Sequence, residues 1–260
     1  MTTLPTIVLV HGAWSTPPIY DPFVKALRVA SYTVHCPLLP TCSSTSSKSS
    51  SNAKFSCDVT TVRHLASSLA DASTDVVLLM HSYGGAVGSS AIADLSSKQR
   101  AQQGLAGGVV HLLYLSAYIL PVGGSVVGIV KKAGYWHLWD QVLDVGPDDS
   151  TFPKDPKLLL CGGLAEEKQQ LAVKALVRLP AEPLEAEVTQ TPWMDIPLTC
   201  VYTEQDYAVP LVCQDIMMKR VREAGVEVRE ERFECGHGVF LTHTEDVVGV
   251  VDRAVGRVHI

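Results

Sequence analysis

Residues 6–12, TIVLVHG, form a β-branched apolar run that ends in a His-Gly pair, the pattern of a buried strand. Residues 17–30 follow with Ile19, Phe23, Val24 and Leu27 at helical spacing behind a proline pair, which predicts an amphipathic helix. YTVHCP is a second short strand, stopped by Pro37. Serines then dominate residues 41–57 and predict a surface loop. Asp58 is expected to cap a helix that carries Val62, Leu65, Ala66 and Leu69 on one face. DVVLLM reads as a strand and AVGSSAIADL as a helix of small residues. Two more apolar strands are predicted at 107–118 and 197–206, a helix at 211–225, a strand nearer the sheet edge at 226–234 and a closing helix at 245–255. Strands that alternate with helices across short loops predict the α/β class, with a mostly parallel, doubly wound sheet.

Residues 120–196 break the alternation. They show no convincing strand, but they contain Trp136, Trp139 and Trp193, three of the four tryptophans, and a helical stretch over 164–179. A segment this long is an insertion rather than a loop. The expected organisation is a core of residues 1–119 and 197–260 with a helical cap (lid) of residues 120–196. That cap would stand at the carboxyl end of a central strand, where open α/β sheets bind ligands.

With 47% apolar and 18% charged residues the chain can bury a substantial core, which excludes a disordered protein. A net charge of -6 gives no electrostatic reason to expect nucleic acid or an anionic membrane as partner. No apolar run reaches the roughly 20 residues of a membrane span. The N-terminus lacks a basic region and a cleavage pattern, so no signal peptide is expected. The seven cysteines are scattered and form no C-x-x-C pair, which fits free thiols in a reducing compartment and a cytoplasmic location. Cys42 and Cys57 bracket the serine-rich loop, and the sequence leaves open whether they pair. A homodimer is compatible with all of this.

The chemistry centres on LLMHSYGGAVG, residues 78–88. A strand that turns sharply into a helix at Ser82 lifts the hydroxyl above the sheet, and the tight turn needs small neighbours. Gly84 and Gly85 are small; Met80, where a glycine would be usual, is not, and Met80→Gly is expected to be tolerated. HGAW, residues 11–14, ends the first strand, so that the backbone N–H groups of Ala13 and Tyr83 are candidates to bind an oxyanion. His11 is read as a structural histidine. For a base, His237 in the Gly-flanked ECGHGVFL stands out, since His81 is too close in sequence to reach back onto Ser82. His243 is expected at the start of the last helix, and His259 in the tail. For the orienting carboxylate Asp206 is preferred over Glu204, because it sits in the loop that precedes a helix. The order is then nucleophile, acid, base.

HGAW, HSYGG, DYAVP and GHGVF in this order make the chain similar to the α/β-hydrolase superfamily from near the first residue to the last helix. Within it the chain resembles the small branch of plant methylesterases and hydroxynitrile lyases, together with microbial esterase-like proteins that carry VHGAW. The resemblance implies Ser82 as nucleophile, Asp206 as acid, His237 as base, and Ala13 and Tyr83 as oxyanion donors. Met80 and the serine-rich loop depart from the pattern. The expected function is a serine esterase-type hydrolase for an ester, lactone or thioester of a hydrophobic small molecule, with Trp14, Tyr118, Trp136 and Trp139 as candidate substrate contacts. No cofactor and no metal are expected. The alternatives are a lyase, dehydratase or cyclase that uses the triad for acid-base chemistry, and a ligand-binding receptor. Gly238 stands where the cyanohydrin-cleaving relatives have a lysine, which argues against that one chemistry. Cys235, two residues before His237, is tested by bulky thiol reagents, which slow the enzyme if it lines the site.

Overall fold

The computed structural model describes residues 4–43 and 53–257. Most of the serine-rich loop, and His259, lie outside the described residues. Among them the strands are β1 (Thr6–Val10), β2 (Val34–His35), β3 (Asp75–His81), β4 (Gly108–Leu115), β5 (Leu143–Val145), β6 (Ser150–Pro153), β7 (Leu179–Pro180), β8 (Leu198–Thr203) and β9 (Val228–Phe233). Six of these form one sheet in the order β2-β1-β3-β4-β8-β9, with every neighbouring pair parallel.

Side chains alternate between two apolar layers, as the period of a strand demands. Val8, Val10, Leu78, Met80, Leu112 and Tyr114 face one layer. Ile7, Leu9, Val77, Leu79, Leu113 and Leu115 face the other, so the central strands bury apolar side chains on both faces. Helices α1 (Asp21–Val29) and Thr244–Ala254 cover the second layer through Phe23, Leu27, Val247 and Val251. Helices α2 (Phe55–Asp71), α3 (Gly84–Ala91) and Leu211–Glu223 cover the first. β9 has only half-buried and exposed positions and is the predicted edge strand.

The structure corrects the sequence in three places. Lys54, not Asp58, is the N-cap of α2; Asp58 lies in the first turn with its side chain fully buried. The segment between β4 and β8 is not purely helical: β5, β6 and β7 form a small antiparallel sheet in it. The helix predicted over 164–179 stops at Lys174, and Leu179–Pro180 pairs with β6 instead. Arg178 drives that change, since its guanidinium donates to Asp144 Oδ2 (2.8 Å), Ser150 Oγ (2.7 Å) and the Ser150 carbonyl (2.8 Å). All seven cysteines are free, so Cys42 and Cys57 do not pair. No helix of the described residues is long and apolar enough to cross a membrane.

Candidate active site

β3 ends at His81, and the chain turns within two residues into α3. Ser82 occupies the turn at φ 54°, a left-handed conformation that costs a non-glycine residue about 1–2 kcal/mol. Backbone bonds hold it there. Ser82 N–H donates to the Leu115 carbonyl (3.2 Å), while its own carbonyl accepts from Gly85 N–H (3.0 Å) and Tyr118 N–H (3.1 Å). The two glycines of the turn are required by close approach. A Cβ on Gly84 would lie 2.3 Å from the Val10 carbonyl oxygen, and one on Gly85 would lie 2.5 Å from that of Tyr118.

Met80 is fully buried, and its place in the elbow is explained by α3. A Cβ on Gly88 would stand 2.5 Å from Met80 Sδ and 2.9 Å from its Cγ. The bulk is thus taken up one helical turn further on, at a glycine.

Asp206 lies just beyond β8, and both of its oxygens are committed. Oδ1 accepts from Ala208 N–H and Val209 N–H (2.8 Å each), and Oδ2 accepts from Thr203 Oγ1 (2.7 Å). Oδ2 is also 2.7 Å from His237 Nδ1, which makes Nδ1 the protonated nitrogen of the neutral ring. His237 Nε2 is buried and has no hydrogen-bond partner among the described residues, so Ser82 and His237 are not hydrogen-bonded to each other here. Such bonds are often long or absent until substrate binds. Gln214 braces the acid loop: its side chain receives Thr203 N–H (3.2 Å) and donates to the carbonyls of Thr203 (2.9 Å) and Val209 (2.8 Å).

A cavity of about 400 Å³ opens above Ser82, walled by Ala13, Tyr83, Tyr118, Leu143, Leu184 and Cys213 among others. Ala13 N–H and Tyr83 N–H donate to no acceptor among the described residues. Trp14, Tyr118 and Trp139 line the cavity; Trp136 does not. It is 41% exposed and carries Lys131 Nζ 4.5 Å over its ring. Leu158 and Tyr207 line the cavity while remaining exposed, so they mark its mouth. His237 lines a small neighbouring pocket together with Gly12, Ala13 and His81, and its ring lies 4.5 Å from that of His81. Cys235 is absent from the cavity lining; it packs with Val239 and Phe240 in the second apolar layer.

Several supporting contacts carried no signal in the sequence. Asp58 accepts from Thr41 N–H (3.0 Å), Thr41 Oγ1 (2.6 Å) and Tyr83 Oη (2.8 Å), and burial raises its pKa. Trp14 indole N–H donates to Thr151 Oγ1 (3.1 Å), and its carbonyl accepts from Val177 N–H (2.8 Å), which ties the HGAW loop to the inserted segment. His11 is structural, as read: Nδ1 contacts the Gly12 carbonyl (2.9 Å), Nε2 accepts from Leu39 N–H (3.0 Å), and burial pushes its pKa down to about 4. His243 is the N-cap residue of the last helix, also as read. Among the described residues no group of three or more His, Cys, Asp or Glu side chains is placed to hold a metal ion.

A family model described as the alpha/beta hydrolase family matches residues 7–250. The chain belongs to the alpha/beta hydrolase family. It is 27% identical over 253 residues to the alpha/beta hydrolase nvfD of Aspergillus novofumigatus, covering 97% of each protein. It is 25% identical over 258 residues to a probable hydrolase of Phoma sp., covering 98% of this chain and 99% of that one. Among solved structures, a methylesterase from Arabidopsis superposes with a TM-score of 0.74 at 17% identity, covering 97% of this chain and 99% of that one. At that identity the likeness speaks for the α/β-hydrolase fold alone.

Proposed function

We propose that this α/β-hydrolase is a serine hydrolase that cleaves an ester, lactone or thioester of a hydrophobic small molecule. The observation that carries the reading is the Asp206–His237 pair at 2.7 Å, in which Asp206 accepts from Nδ1–H and so leaves the buried Nε2 free to take a proton. Ser82 stands in a strained turn and lines an apolar cavity, as a nucleophile that must meet substrate requires.

In this mechanism Ser82 Oγ attacks the carbonyl carbon as His237 Nε2 takes its proton. The N–H groups of Ala13 and Tyr83, both without acceptors, receive the oxyanion. Collapse breaks the bond to the alcohol or thiol, which leaves with the proton held by His237. Water then repeats the sequence on the acyl-serine, and a carboxylic acid is released. Asp206 stabilises the imidazolium at each stage. Residues 120–196 act as the cap that closes over the substrate, and the apolar walls select an uncharged one. Seven free cysteines fit a cytoplasmic setting.

Incubation with a fluorophosphonate probe and peptide mass mapping tests the reading. A single adduct on Ser82 that disappears in His237→Ala is expected. An unmodified Ser82 in folded protein overturns it.

A further inference from the structure

One hydroxyl joins the three loops of the site. Tyr20 Oη accepts from Gly12 N–H at 2.9 Å and lies 2.7 Å from His81 Nδ1. His81 Nε2 lies 3.1 Å from the main-chain carbonyl oxygen of His237. The two ends of this chain fix its direction, because a backbone N–H only donates and a carbonyl only accepts. With the Tyr20 oxygen occupied by Gly12, its proton goes to His81 Nδ1, and His81 then carries its own proton on Nε2 and donates it to His237. A doubly protonated ring would turn Nδ1–H toward Tyr20 and leave the phenol proton without this acceptor. All three side chains are buried. Burial, with the His237 ring 4.5 Å away, holds His81 well below the ordinary histidine range and so keeps it neutral. The Ser15 hydroxyl also lies beside Tyr20 Oη.

We infer that Tyr20 and His81 are positioning residues of the reaction: their hydrogen-bond chain sets the HGAW loop, the nucleophile turn and the backbone of the base in one register. This rests on the serine-hydrolase reading above. His81 ends β3 and packs against Tyr20 and Phe240, while Ser82, the next residue, lines the substrate cavity from the turn, so neighbouring residues serve the base and the substrate. Tyr20 stacks on Phe240 at 4.3 Å with the rings 12° apart, so the ring is held independently of its hydroxyl.

Tyr20→Phe keeps that stacking and removes the hydroxyl. With para-nitrophenyl butyrate as substrate, kcat is expected to fall about tenfold or more while KM changes by less than about twofold, the signature of misplaced chemistry rather than lost binding. Nitrogen-15 NMR of the histidine rings is expected to show His81 as the Nε2–H tautomer in the wild type and a mixed tautomer in Tyr20→Phe. His81→Gln retains a donor for the His237 carbonyl and should keep more activity than His81→Ala. Unchanged kcat in Tyr20→Phe, an Nδ1–H tautomer in the wild type, or equal activity of the two His81 variants would each overturn the inference. Fluorophosphonate labelling of the wild type separates the two levels. An unlabelled Ser82 overturns the hydrolase reading and any catalytic role for the chain with it. A labelled Ser82 with unaffected Tyr20→Phe overturns the positioning role alone.

Discussion

Met80 and Gly88 fit as knob and hole, and neither can be judged alone. Gly88→Ala drives a methyl group into Met80 Sδ and Leu78, whose nearest atoms stand 2.5 Å and 3.0 Å from it; about 1–3 kcal/mol of destabilisation is expected. Met80→Ala leaves a hole and costs about 2–5 kcal/mol. Because one clash is shared, the double variant should be less destabilised than the sum, and urea unfolding of the four proteins measures the coupling. Additive losses would show that the helix shifts instead. Met80→Gly, expected from the sequence to be tolerated, empties a fully buried site, so a clear drop in stability is the expected result. Asp206 allows a sharper prediction. Its Oδ1 accepts two backbone N–H groups, so in Asp206→Asn the amide oxygen must take that place and the NH2 must face His237. The ring is then driven to the Nε2–H tautomer, which cannot accept the serine proton. A loss in kcat of about 10⁴ with little change in KM is expected from steady-state kinetics.

At the scale of elements, long apolar strands between short loops were legible because a fully buried strand and an amphipathic helix differ over many residues. The small sheet of the inserted segment was not. Strands of two to four residues, two of them containing a proline, offer no period to read. Ser82, Asp206 and His237 were legible for a related reason: each ends or follows a strand in a loop of unusual composition. Trp136 lies outside the cavity lining, and its helical turn is too short for the sequence to show which side faces the cavity. The contacts that hold the site together, Asp58 to Tyr83 and Trp14 to Thr151, join residues far apart in sequence and leave no local trace. The Trp14–Thr151 bond also makes a prediction. Thr151→Val removes the acceptor for the indole N–H and loosens the seam between the HGAW loop and the inserted segment. Accelerated hydrogen exchange is expected in both segments together; exchange confined to β6 would show that the seam does not couple them.

For the molecule as a whole, buried histidines set the response to acid. Burial pushes His11 and His111 down from 6.5 to about 4, and it also holds His81 well below the ordinary histidine range. Between those values the unfolded chain binds protons that the folded chain refuses, so stability rises with pH through the window and is lost as pH falls from 6.5 toward 4. For His11 alone the shift corresponds to roughly 3 kcal/mol. Urea midpoints measured at about pH 7 and about pH 4.5 should differ accordingly, and His111→Gln, which still reaches Thr199, should flatten the slope. A midpoint insensitive to pH would contradict this. The margin within which such changes act is only about 5–15 kcal/mol, and it gives the Met80–Gly88 fit a historical meaning. While the methionine stays, a side chain at position 88 is penalised; once a lineage has settled on this pair, each residue entrenches the other. A position with no chemistry of its own thereby decides which substitutions remain open six residues beyond the nucleophile.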